Sequence, residues 1–378
     1  MTPFEEMQRH YQHRDLAPKE WKEKGGKVVG YFCDNVPEEF ILAAGFFPLR
    51  LSGDPRGSTE AARKQRVPFM WADREDFVHS MLNMILTGEY DFLDYLVIPH
   101  ARASIHSLRR TLFGLKESDP ALKLPELYYL KNLHTTFYSS GLFNRDQWIE
   151  FKETLEEWSG KEITNESLSQ AIDIGNENKM LLKRIAELRA AEPPRISGVE
   201  ALQIIGSSMF MLKEKHNKLL KAYLDEAEGL PSRDGARLFV EGSPLDNLQL
   251  YELIESKNAT VVAENNCWGN RYSDVPVDTS FDPLEAIIDR YNDKSPCSRM
   301  FPIERRIEYC LRSAEEAKAQ GVIFNIFKDD ECEAWETPEK IKAFKARGIP
   351  ALHLRQQPYL ISEPEQILTG IEELLKSI

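Results

Sequence analysis

Short apolar runs alternate with helical segments along most of this chain, and they do so twice. That alternation limits the fold class before any single residue is considered. Lys27–Phe32 (KVVGYF), Tyr95–Pro99 (YLVIP) and Glu126–Leu130 (ELYYL) read as buried strands. Glu38–Ala44, Asp73–Leu86 and Ser104–Phe113 between them read as helices. Pro37 suits a first-turn position, and Glu38 and Glu39 place negative charge where a helix start favours it. The pattern returns after residue 230. Arg237–Gly242, Ala259–Glu264, Gly321–Phe327 and Pro350–Leu354 are strands, and Asn247–Ser256, Pro283–Tyr291, Pro338–Arg347 and Glu363–Lys376 are helices. Strands that alternate with helices in this way imply mainly parallel sheets with right-handed crossovers.

From about Asn144 to Glu228 the character changes to long charged segments with helical spacing and few β-branched residues, such as RDQWIEFKETLEEWSG and NENKMLLKRIAELRAAEPP. Ile163–Glu166 opens a helix with Thr164 or Asn165 as its cap, and Val199–Ala227 reads as two more helices. Residues 1–25 read as one amphipathic, charge-rich helix. The expected fold is α/β: two Rossmann- or flavodoxin-like units with mainly parallel sheets, joined by a helical insert. The expected boundaries are 1–143, 144–230 and 231–378. At 378 residues the chain is also too long for one ordinary core.

Composition narrows the function classes. A net charge of −13 argues against a broad nucleic-acid surface, though it leaves room for local Lys/Arg clusters. No run of 18 apolar residues occurs, and the N-terminal MTPFEEMQRHYQHR has no signal-peptide core, so no membrane is expected and the cytoplasm is the expected location. Five scattered cysteines without a CxxC pair suggest no disulfide framework. GxGxxG after a strand, GxxxxGK[ST], HExxH and GxSxG are all missing, so no standard nucleotide site is expected.

In open α/β sheets ligands gather at the carboxyl ends of strands. Five such ends carry polar or reactive residues: Cys33; His100-Ala-Arg102; Glu241-Gly-Ser243; Asn265-Asn-Cys267-Trp-Gly269-Asn270-Arg271; and Lys328-Asp-Asp330-Glu-Cys332. Two facing units would turn these ends toward one crevice. Plainer readings stand beside these. His100 fits a hydrogen-bonded loop residue, Arg271 a partner for a carboxylate and Cys267 core filling. Cys297 and Cys310 read as structural, and His216 and Asn217 as a helix–helix contact. A Cys33–His100 nucleophilic pair is also chemically possible.

The run Cys33-Asp-Asn-Val-Pro-Glu-Glu leading to Ala-Ala-Gly45 resembles the start of the 2-hydroxyacyl-CoA dehydratase and class I benzoyl-CoA reductase superfamily. So do the DFLDYLVIP strand, the KEKHNKLLK helix, WGNRY and the closing Gly-Ile-Pro strand. Size and central helices are most similar to the smaller non-ATPase subunit of benzoyl-CoA reductases. The resemblance implies a subunit that helps form an acyl-CoA site with a related sister subunit. Electrons would come from a separate ATP-hydrolysing iron–sulfur activator or subunit pair. The implied reaction is dearomatising reduction of an aryl-CoA. The alternatives are 2-hydroxyacyl-CoA dehydration, or a cluster-less structural subunit of either enzyme.

The resemblance also implies site residues. Three family cysteines hold a [4Fe–4S] cluster; here Cys33 matches the first, Arg102-Ala103 stands where the second belongs, and Asp330, with Cys332 two residues on, stands at the third. The cluster is therefore expected here, on Cys33 with Cys332 or Asp330, or at the interface with the sister subunit. His100 is expected to donate a proton and Arg102 to polarise a thioester carbonyl. Glu38, Asn265, Gly269, Asn270 and Arg271 are expected against the substrate.

Overall fold

The computed structural model describes residues 1–65, 76–294, 299–328 and 330–378. Two four-stranded sheets, each wholly parallel, organise the described chain. The first contains β1 (Val28–Tyr31), β2 (Phe47–Arg50), β3 (Tyr95–Pro99) and β4 (Glu126–Leu130) in the spatial order β2-β1-β3-β4. The second contains β5 (Ala236–Gly242), β6 (Ala259–Asn265), β7 (Gly321–Phe327) and β8 (Ala351–Gln357) in the order β6-β5-β7-β8. Strand for strand the order is the same, so the second unit repeats the topology of the first. Both β1 and β6 are buried along their whole length. Strands covered on both faces lose the apolar–polar alternation and read as continuous apolar runs.

Four helices lie in sequence between the sheets: Tyr138–Ser159, Asn165–Ala190, Gly198–Ser207 and Lys213–Glu226. Thr164 caps the second of them, its Oγ1 accepting from the Ser167 N–H at 3.2 Å. Ser197 and Glu200 form a capping box at the third. The Asn165–Ala190 helix packs on the Glu38–Ala43 helix of the first unit and on β6 of the second. One apolar core then runs through all three parts, from Phe47 and Leu96 through Leu182 and Ile205 to Leu238 and Ile323. Smaller cores back each sheet, around Phe40, Trp148 and Phe151 in one and around Phe239, Phe324 and Phe344 in the other.

Arg189, near the end of the Asn165–Ala190 helix, is wholly buried with Glu264 of β6. Its two terminal nitrogens donate to the two carboxylate oxygens at 2.5 and 3.0 Å. Tyr251 Oη and the Asn270 N–H complete the set at 3.1 and 2.6 Å. Two charges without water are tolerated only when each finds the other in good geometry.

The structure departs from the sequence reading at several places, among them two helices it did not give, Glu60–Lys64 and Ile303–Glu316. The strand β2 was not expected: it is short, and Pro48 cannot donate to a ladder, which restricts it to the sheet edge it occupies. The N-terminal segment is two helices, Pro3–Gln12 and Leu16–Glu23, rather than one. The helix expected to open at Pro338 spans Glu331–Ala346 with Pro338 inside it, which places Cys332 in a first helical turn. The helix expected from Asp73 is described only from Asp76.

Replacing Arg189 with Met leaves the Glu264 carboxylate buried without its cation. The expected loss is about 3–5 kcal/mol of unfolding free energy, read as a lower midpoint in urea denaturation.

Candidate functional site

Strand order reverses beside β1 in the first sheet and beside β5 in the second, and such switch points open a crevice at the carboxyl ends of the strands. A pocket lies there, walled by both units. The first unit contributes Phe32, Cys33 and Asp34 after β1, Arg50 at the end of β2, Arg102 after β3 and His134 after β4. The second contributes Asp246 after β5, Cys267, Trp268 and Arg271 after β6, and Phe327 at the end of β7. Phe77 and Ile105 add to the apolar wall, and Arg299 also lines it.

Cys33 sits in the left-handed region at φ 63°, a backbone state a non-glycine residue adopts only under constraint from its surroundings. Burial, and then the neighbouring Cys267 sulfur, push its thiol up to about 12, so it is protonated at neutral pH. Arg102 forms an ion pair with Asp330, and the Ser243 hydroxyl donates to the same carboxylate at 2.8 Å. This contact ties the β3 exit to the β5 and β7 exits across the pocket. Arg271 faces Asp34 at 3.4 Å and donates to Asn265 Oδ1 at 3.3 Å. Burial alone would raise the Asp34 carboxyl, but Arg271 and Arg50 outweigh it and hold the group below the usual carboxylate range.

Of the two histidines beside the pocket, His134 rather than His100 lines it. His100 donates from Nδ1 to the Asn132 carbonyl at 3.0 Å, and its own carbonyl accepts from His134 Nε2 at 2.7 Å. That bond fixes the His134 tautomer and leaves Nδ1 as the acceptor. Burial pushes its ring down to about 4, so it is neutral at physiological pH.

The remaining expected site residues fall elsewhere. Glu38 lies behind the pocket, accepting from Tyr272 Oη at 3.0 Å and pairing with Lys213 at 3.0 Å. Its neighbour Glu39 is buried against Lys179 at 2.9 Å and Tyr291 Oη at 2.9 Å. Asn265 turns its amide to Glu241 at 3.3 Å and to Cys310 Sγ at 3.0 Å. A Cβ on Gly269 would lie 2.1 Å from Glu264 Oε1, and Asn270 bonds Arg189 at 2.6 Å. Gly269 and Asn270 are therefore built around the Arg189–Glu264 pair. Cys332 is exposed, with Arg299 donating to its sulfur at 3.4 Å. His216 and Asn217 join Asn178 in a buried helix–helix contact, and Cys297 lies outside the described residues.

Cys33, Arg102 and Arg271 thus meet at one pocket, with Asp330 directly behind Arg102. Arg50, Asp34 and His134 were missed. The rule that exposed strand ends carry function would have found His134 had it been applied after ELYYL.

A model of the family described as 2-hydroxyglutaryl-CoA dehydratase, D-component, matches residues 33–378. The chain belongs to this family. Relatives of the D-component family member include the (R)-phenyllactyl-CoA dehydratase beta subunit of Clostridium sporogenes, 24% identical over 95% of this chain and 94% of that protein. One of the benzoyl-CoA reductase subunits of Thauera aromatica is 27% identical over 82% of this chain and 80% of its own. The (R)-2-hydroxyglutaryl-CoA dehydratase subunit beta of Acidaminococcus fermentans is 24% identical over 90% of each. Each is named as one subunit of its enzyme.

A [4Fe–4S] cluster needs three or four thiolates around one space. In this D-component family member Cys33 and Cys267 line the pocket, Cys332 is on the surface, and Arg102 and Asp330 neutralise each other. Among the described residues no three His, Cys, Asp or Glu side chains are grouped to hold a metal ion. The donors among the described residues do not by themselves fit such a cluster.

Two outcomes follow from the electrostatics. Iodoacetamide at pH 8 should modify exposed Cys332 first, with Cys33 reacting slowly and faster only as pH approaches about 12, read by peptide mass spectrometry. Burial would raise Glu39, but Lys179 and Arg290 hold it at about 2, below the ordinary 4.5. A depressed carboxyl stabilises the fold above its unfolded value and loses that contribution as pH falls through its folded one. Glu39→Gln should therefore be less stable than wild type at pH 7, and the difference should shrink between about 4.5 and about 2 in acid-denaturation curves.

Proposed function

We propose that this chain is a subunit of an ATP-dependent benzoyl-CoA reductase and forms one wall of the aryl-acyl-CoA site it shares with a related sister subunit. The observation that carries this reading is the pocket at the paired switch points, which Phe32, Phe77, Trp268 and Phe327 line among cationic side chains. Flat apolar walls suit a benzene ring, and a few placed polar groups suit the thioester beside it. In this reading the electron-carrying cluster belongs to the sister subunit or to their interface, which the sparse donor set among the described residues supports, and electrons are delivered by an ATP-hydrolysing iron–sulfur protein. In this arrangement Arg102 holds the pocket closed through Asp330, and His134 supplies a neutral ring nitrogen at its wall.

A second reading, dehydration of an aromatic 2-hydroxyacyl-CoA, is favoured by the near full-length match to the phenyllactyl-CoA dehydratase beta subunit. It uses the same pocket and the same acyl class.

The test is the anaerobic complex of this chain with its sister subunit and activator, given benzoyl-CoA and (R)-phenyllactyl-CoA in turn. Ring reduction with ATP consumed at every turnover is expected; loss of water with only catalytic ATP would select the dehydratase. Iron and acid-labile sulfide should be near zero in the isolated chain. About four iron per isolated chain would overturn the placement of the cluster outside it.

A further inference from the structure

Arg50 is a buried cation of the pocket that the Asp34 carboxylate acts on through space without forming an ion pair with it. It is 2% exposed, at the carboxyl end of β2. Nη1 donates to the Cys267 carbonyl at 2.6 Å and contacts Met209 Sδ at 3.5 Å, while Nη2 donates to Cys267 Sγ at 2.9 Å. The guanidinium stacks on Trp268 at 4.0 Å. Its Nε–H is buried and has no partner. Among the described residues no carboxylate pairs with it. Arg102 and Arg271 differ, since Arg102 is held by Asp330 and Arg271 by Asp34, while the partly exposed Arg299 donates to the Cys332 sulfur. A buried cation and a buried N–H left in this state both call for an acceptor that carries or develops negative charge.

Position adds a second constraint. Arg50 lines the aromatic pocket and also a separate polar groove, and among the described lining residues it is the one common to both. The groove is charge-mixed: it runs past Gln12, Arg14, Asp15, Lys19, Asp54, Arg56 and Glu89 of the first unit and Asn247, Gln249 and Glu252 of the second, with Lys19 paired to Asp15. An acyl-CoA has the same division. An apolar acyl group joins a long polar arm of amides and phosphates, and the thioester is the junction.

We infer that Arg50 is the residue that receives the thioester carbonyl oxygen, with the acyl group in the aromatic pocket and the pantetheine–nucleotide arm in the adjoining groove. The inference rests on the acyl-CoA reading above and moves the carbonyl-binding role from Arg102, whose charge Asp330 already satisfies, to Arg50. The interaction is a charge-assisted hydrogen bond to a neutral oxygen in the bound state. It strengthens as that oxygen gains negative charge.

The test is isothermal titration calorimetry on the full chain, alone and in its complex. The probes are benzoyl-CoA and S-benzyl-CoA, the thioether with a methylene in place of the carbonyl. The quantity read is the ratio of the two affinities, because a misfolded fraction lowers both alike and leaves the ratio unchanged. Wild type should prefer the thioester by about tenfold to a hundredfold, the worth of one hydrogen bond to a charged group. In Arg50→Met the ratio should fall to near one, with Arg50→Lys between. Charge reversal of Lys19 and Arg56 to Glu should weaken both probes together. A wild-type ratio near one, or a ratio unchanged in Arg50→Met, overturns the role of Arg50 and leaves the acyl-CoA reading standing. Failure of wild type to bind either probe, alone or in complex, overturns both.

Discussion

Buried charge must be neutralised across the seam where the two sheets and the helical insert meet, and the rest of the molecule is arranged around that requirement. Arg102 and Asp330 join the first unit to the second, as do Arg271 and Asp34. Lys179 and Lys213 of the insert meet Glu39 and Glu38 of the first unit, and Arg189 of the insert meets Glu264 of the second. An ion removed from water costs several kcal/mol, roughly, and is tolerated only where its partner is held in place. Each pair therefore makes its neighbours' positions conditional on docking of the parts. The pocket lies inside this set of pairs, and its walls hold their shape because the pairs on either side do.

Much of the architecture was legible because parallel strands buried on both faces announce themselves as apolar runs bounded by turn residues. The repeat of the first unit by the second followed from the same signal. The strand β2 escaped because four residues containing a proline carry too little pattern, and the early start of the Glu331–Ala346 helix escaped because Pro338 imitates a helix start. At the site, the strand-end rule reached Cys33, Arg102 and Arg271. It missed Arg50 for the reason it missed β2, since a side chain at the end of an unread strand has no assigned place. No local pattern pairs residues 228 positions apart, as Arg102 and Asp330 are, or 237, as Asp34 and Arg271 are. For that reason sequence alone could propose Arg102 as a free cation, whereas the fold commits it to Asp330. The WGNRY tract shows the converse: it reads as a ligand loop, and Gly269 and Asn270 are in fact shaped by the carboxylate of Glu264.

Family membership and pocket geometry constrain each other. Relatives named for phenyllactyl-, benzoyl- and 2-hydroxyglutaryl-CoA enzymes share this chain's length and little more than a fifth to a quarter of its residues. At that distance the acyl group handled cannot be carried over from a name. The ring-lined wall, the protonated Cys33 thiol and the cations committed or left over at the strand ends are features of this chain, and they bear on which acyl group fits.

The Arg189–Glu264 pair also limits how the lineage can change. A side chain at position 269 would collide with the carboxylate, and loss of either charged partner strands the other, so every single step away from this arrangement passes through a less stable protein. Escape requires at least two coordinated replacements in segments 75 positions apart in sequence. In the loop after β6, Cys267 and Trp268 line the pocket and hold Arg50, while the next two positions are locked by the core behind them. A change of substrate preference in this loop therefore has to carry Arg50 with it.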